Sequence, residues 1–148
     1  MSITREVPNT IVLGGPVTVV NDLAATEQIT PGMLIERTDV AGVAKFKKHA
    51  GQGLEGSIYA TEQSMLNLTV DDVYAAADLV EAAVGAPGAT IWALVASGAN
   101  VAAGDKLCSG GNGLLEAVGG GDLTIAVVLE ATDNSAGPGN ARIKVEVV

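Results

Sequence analysis

Apolar residues in this chain come in short runs separated by glycine-rich breaks. Ile91-Trp92-Ala93-Leu94-Val95-Ala96 is an unbroken apolar run, the length of one strand buried on both faces. Ala141-Arg142-Ile143-Lys144-Val145-Glu146-Val147-Val148 alternates strictly. It predicts a strand with Ile143, Val145 and Val147 on a core and Arg142, Lys144 and Glu146 towards solvent. Residues 11–13, 17–20, 40–47, 57–61 and 123–129 read as further strands, with Phe46 opposite the lysines beside it. Gly14-Gly15-Pro16, the glycines of residues 49–56, residues 85–88 and Gly119-Gly120-Gly121-Asp122 read as turns, and residues 21–28 and 131–140 as loops. Many short strands joined by glycine turns predict an all-β barrel or sandwich.

One spacing recurs. Val101-Ala102-Ala103-Gly104-Asp105-Lys106-Leu107 sets two apolar anchors around a Gly turn, and Ile29-Thr30-Pro31-Gly32-Met33-Leu34-Ile35 does the same. Tyr74-Ala75-Ala76-Ala77-Asp78-Leu79-Val80 is a third copy in which Ala stands for the glycine. Residues 69–84 also carry the opposite signal. Val70, Val73, Tyr74, Ala77 and Val80 follow helical spacing, with Thr69, Asp71 and Asp72 as an N-terminus. Periodicity there favours a surface helix; the repeat favours a turn between strands.

Composition changes the picture in one respect. Of the 148 residues, 48% are hydrophobic but only 3% aromatic, with 19 glycines. The longest uncharged stretch, between Glu81 and Asp105, is broken by glycines, Pro87 and Asn100, so it predicts no membrane span. Residues 1–10, with Arg5, Glu6 and Pro8, do not read as a signal peptide; they read as a free tail or an arm that orders against a partner. The apolar excess over a 148-residue domain predicts a homo-oligomer that buries more of it. A net charge of −9 disfavours a nucleic-acid partner. Lys45, Lys47 and Lys48 suit an edge strand, where lysine blocks unwanted pairing.

No catalytic, metal or cofactor constellation emerges, and the chain is not expected to be an enzyme. The single histidine, His49, lies among loop glycines and reads as exposed. The lone Cys108 excludes an intrachain disulfide and has no recognisable partner. Asp71-Asp72 suits a cap or a solvated turn. Gly110-Gly111-Asn112-Gly113 lacks the Asp and the tandem copies of a calcium-binding nonapeptide repeat. The Val101–Leu107 spacing is similar to the hammerhead turn of biotinyl and lipoyl carrier domains, which would make Lys106 the carrier lysine; here it sits inside the turn and not at a hairpin tip.

An ordered set of blocks resembles the capsid decoration, or cement, proteins of tailed bacteriophages, the lambda-type trimeric group. These blocks are Ile29-Thr-Pro-Gly-Met-Leu-Ile-Glu36, Ala60-Thr-Glu62, Asp71-Asp-Val-Tyr-Ala-Ala-Ala-Asp78, Ala93 through Asp105, Asn112-Gly-Leu-Leu115, residues 126–134 and Ala141 through Val147. Together they span residues 29–148; the group usually carries Gly where this chain has Ala77. The resemblance implies a β-tulip or β-barrel-like subunit over residues 11–148, an extended N-terminal arm over residues 1–10, and a homotrimer. It further implies a place on the outer surface of the expanded head, at threefold and quasi-threefold sites, with the major capsid protein as partner. The arm residues Ser2, Ile3, Thr4, Arg5, Glu6, Val7 and Pro8 would touch the shell. It also favours loop and strand over helix for residues 69–84.

Overall fold

The chain folds as two small β-barrels laid against each other, in a computed structural model that describes residues 8–135 and 139–148. The strands are β1 (Val12–Gly14), β2 (Val17–Ala24), β3 (Leu34–Val40), β4 (Val43–Lys48), β5 (Ile58–Ala60), β6 (Leu79–Gly85) and β7 (Thr90–Val95). They continue with β8 (Asn100–Val101), β9 (Lys106–Gly111), β10 (Leu114–Ala117), β11 (Ala126–Val128), β12 (Thr132–Asp133) and β13 (Ala141–Val147). A 3₁₀ turn at Ser64–Leu66 is the only helical element among the described residues. The all-β expectation holds.

Strands β7, β10, β9, β11 and β13 pair in that order, and β13 returns to β7, so this sheet closes on itself; β1 adds to the start of β7. The second sheet runs β2-β6-β5-β3-β4 and curls until Ala25 bridges Phe46 of β4, where the Thr26 amide donates to the Phe46 carbonyl at 2.9 Å. Each barrel has its own core. Ile91, Ala93, Val95, Leu107, Leu115, Ile143 and Val145 fill the first; Ala25, Ile35, Phe46, Ala60, Val80 and Ala82 fill the second. Aliphatic and alanine side chains make up most of both cores, with Tyr59, Phe46 and Tyr74 the buried aromatics, in keeping with the scarcity of aromatics.

Strand β7 explains its own unbroken apolar run. Ile91, Ala93 and Val95 point into the first core while Leu94 packs in the second, so the strand is covered on both faces. Main chain crosses the seam directly: the amides of Leu34, Gly53 and Leu94 donate to the carbonyls of Gly113, Ser109 and Gly32 at 2.9, 2.8 and 3.0 Å. A side chain at Gly113 would begin 3.0 Å from the Leu34 carbonyl oxygen, so glycine permits this approach.

All three copies of the recurring spacing form the same turn. Gly32, Ala77 and Gly104 sit at φ of 96°, 75° and 91°. In the last two copies the closing aspartate completes it: Asp78 accepts from the Ala75 amide and Asp105 from the Ala102 amide, each at 2.8 Å. Asp122 does so from the Gly119 amide at 2.9 Å. Residues 69–84 are therefore turn and strand, and the helical spacing was misleading. Val70 and Val80 belong to different cores, and Tyr74 is held by paired bonds to Ile29.

Three boundaries differ from the sequence reading. Strand β2 continues through residues 21–24, because its register shifts after Val20 and Leu23 and Ala24 re-pair with Val80 and Leu79. The apolar residues 123–129 give only the short β11; Ile125 reaches the core from an irregular segment whose neighbour Leu123 is exposed. Within residues 131–140, Thr132 and Asp133 pair with Val101 and Asn100.

Candidate interaction surface

Of the residues assigned to shell contact, Ser2, Ile3, Thr4, Arg5, Glu6 and Val7 lie outside the described residues; Pro8 is half-buried. The chain is fixed to the body immediately afterwards. Glu62 takes the Thr10 hydroxyl on one carboxylate oxygen and the Ile11 amide on the other, the latter at 3.0 Å, and the Ile11 carbonyl accepts from the Trp92 amide at 2.8 Å. Whatever precedes Thr10 thus starts from a fixed point beside β7. The sequence could not show this, since Glu62 and Thr10 are 52 positions apart.

His49 is buried, 4% exposed, which corrects its reading as a loop residue in solvent. Its Nε2 lies 2.7 Å from the Glu55 carbonyl, which can only accept, so Nε2 carries a proton. Nδ1 lies 2.7 Å from the Ser109 hydroxyl across the barrel seam. The ring joins the end of β4 to β9, which is a structural task.

Arg142 corrects a second expectation. Alternation places it outside the first core, yet that face is covered by the other barrel and not by water. Its Nε donates to the Pro31 carbonyl at 3.1 Å, Nη1 to Asp71 at 3.2 Å and Nη2 to the Val70 carbonyl. The guanidinium also lies over the Trp92 ring at 5.3 Å. One planar cation therefore gathers the turns at residues 29–33 and 69–72 onto β13 and β7. Lys144 does face outward and pairs with Glu130 at 3.3 Å.

Burial pushes the Cys108 thiol up to about 11, and Asp122, whose carboxylate is 3.6 Å from Sγ, adds to the shift. Such a thiol stays protonated and is a poor nucleophile. Lys106 lies within β9, paired with Val127, and not at a hairpin tip. Among the described residues no group of three His, Cys, Asp or Glu could hold a metal ion.

Exposed apolar side chains lie in two places among others. One is the loop closing β3 and β4, where Val40 and Val43 flank Ala41 and Gly42. The other surrounds the 3₁₀ turn, where Met65 is 79% exposed beside Leu66 and Leu79.

No protein-family model matches the chain, and no curated protein sequence does. Among solved structures, the N base of head fiber gp8.5 of bacteriophage phi29 matches over 90% of this chain and 95% of that one, with TM-score 0.60 and 10% identity. The two share a fold. Both barrels fall inside the match, since it covers nearly the whole of each chain.

Proposed function

We propose that this protein is a structural component of a tailed-phage head, which binds the outer surface of the expanded shell as a homotrimer and stabilises it. The observation that carries this reading is the near full-length match to a phage head-fiber base, in the same direction as the ordered sequence blocks that resemble decoration proteins. The major capsid protein is the partner. Rigid barrels suit a clamp, because ordering a ready-made surface costs little on binding. Many such clamps that bind the expanded shell and not its precursor stabilise the former by mass action. A trimer carries three times −9, or −27, which keeps decorated particles apart. Residues 2–8, leaving the body at the Glu62 anchor, reach the shell.

The neighbour's own description favours a second reading, in which the chain is the base of a projecting head fibre. Pelleting of purified protein with expanded and unexpanded shells tests the first. Saturable binding to expanded shells only, weakened by deletion of residues 2–8, is the expected result. No binding to either shell overturns it, and a few copies per particle instead of lattice-wide occupancy favours the fibre base.

A further inference from the structure

The hairpin between β9 and β10 turns in two residues, Asn112 at φ 53° and Gly113 at φ 76°. A two-residue turn with both φ values positive matches the twist of its strands, and Asn-Gly suits it well. The same dipeptide is chemically weak. Glycine has no side chain to shield its amide nitrogen, so that nitrogen can reach the carboxamide of an asparagine just before it. None of the other six asparagines precedes a glycine. Asn112 is exposed, whereas Gly113 is buried.

Gly113 is also a point where the two barrels join. Its amide donates to the His49 carbonyl at 3.1 Å, and its carbonyl accepts from the Leu34 amide at 2.9 Å. Leu34 opens β3 and His49 follows β4, both strands of the second sheet. The His49 ring returns to β9, with Nδ1 2.7 Å from Ser109 Oγ. That oxygen also accepts from the Gly111 amide at 3.4 Å, one residue before the turn. Gly113 is therefore held on both sides, with the proton of its nitrogen committed to His49.

We propose that Asn112 is a spontaneous deamidation site held shut by the barrel seam, and that its isoaspartate product unfastens the seam. In the reaction the Gly113 nitrogen gives its proton to hydroxide and attacks Asn112 Cγ. The side-chain nitrogen leaves as ammonia, and a five-membered succinimide closes. Water then opens either carbonyl of the ring, leaving Asp or isoaspartate. While Gly113 is bonded to His49 and Leu34 its nitrogen cannot swing to Cγ, so the reaction waits for the seam to open locally. The two products differ in consequence. Asp keeps the main chain and suits the same turn, changing the net charge from −9 to −10. Isoaspartate puts an extra methylene into the main chain between residues 112 and 113. Gly113 then cannot meet His49 and Leu34 together, and buried main-chain groups lose their partners.

The test is ageing of the full chain in one mildly alkaline buffer, with and without concentrated urea, followed by peptide mapping that separates Asp from isoaspartate at residue 112. Deamidation of the folded protein should be slower than in urea by about tenfold or more. Ser109→Ala removes the partner of the His49 ring on β9 and leaves the turn sequence intact. If folded by circular dichroism, it should deamidate about threefold faster than wild type or more. Asn112→Asp should unfold at the wild-type denaturant midpoint, whereas the isoaspartate fraction of aged protein should unfold earlier. Lack of reaction at Asn112 in urea overturns the site. Equal rates with and without urea, or a folded Ser109→Ala that reacts like wild type, overturn control by the seam. An isoaspartate fraction as stable as Asn112→Asp overturns the unfastening.

Discussion

Ala77 holds a left-handed backbone conformation that costs an L-residue about 1–2 kcal/mol, at an exposed turn where its side chain makes no compensating contact with a core. The equivalent positions, Gly32 and Gly104, avoid that cost. Ala77→Gly should therefore stabilise the protein by about 0.5–1 kcal/mol once the extra freedom of glycine in the unfolded chain is subtracted. Gly104→Ala should destabilise through strain alone, since its added methyl meets open space. Gly32→Ala should cost more, because the same methyl would lie 3.0 Å from the Trp92 carbonyl oxygen. Denaturant midpoints of the three variants check that order. Cys108 gives a pH dependence with a definite sign. In the unfolded chain its thiol ionises near pH 9, while in the folded chain burial raises that to about 11. The folded state then holds the extra proton in this interval, so stability is whole below pH 9 and falls as pH rises towards 11. Melting temperature should drop over this range in wild type and drop less in Cys108→Ala.

At the scale of elements, the sequence was most legible where one face of a strand meets one environment. Strand β13 kept its alternation, and β7 is buried at Ile91, Ala93, Leu94 and Val95 with Trp92 partly covered. Legibility failed where the second barrel altered the environment. Residues 69–80 offer helical spacing, but Val70 and Val80 enter separate cores, a division that no single-segment pattern contains. Arg142 alternates outward as predicted, yet outward there means against two turns of the other barrel. His49 sits among glycines, a solvent signature, but those glycines allow main chain to pack closely: a side chain at Gly56 would start 3.2 Å from His49 Nε2. Arg142→Lys tests the clamp. An ammonium cannot reproduce three divergent donors and a stacked plane, so it should lower stability by about 1–3 kcal/mol by equilibrium denaturation. Lys144→Arg, two residues along, should change it little.

For the whole molecule, the apolar excess read from composition is only partly absorbed by the two cores. Val43, Met65, Leu66 and Leu79 remain in solvent in the isolated chain. The glycine turns, few aromatics and small barrels belong to one solution: two narrow cores joined by main-chain contact. The contacts of Glu62 with Thr10 and Ile11 needed the fold. The most direct measurement is a cryo-electron microscopy reconstruction of expanded heads incubated with the purified protein. The account predicts density for three copies, each with two β-barrels, over threefold and quasi-threefold positions across the outer surface. Bare threefold positions at saturating protein would contradict it.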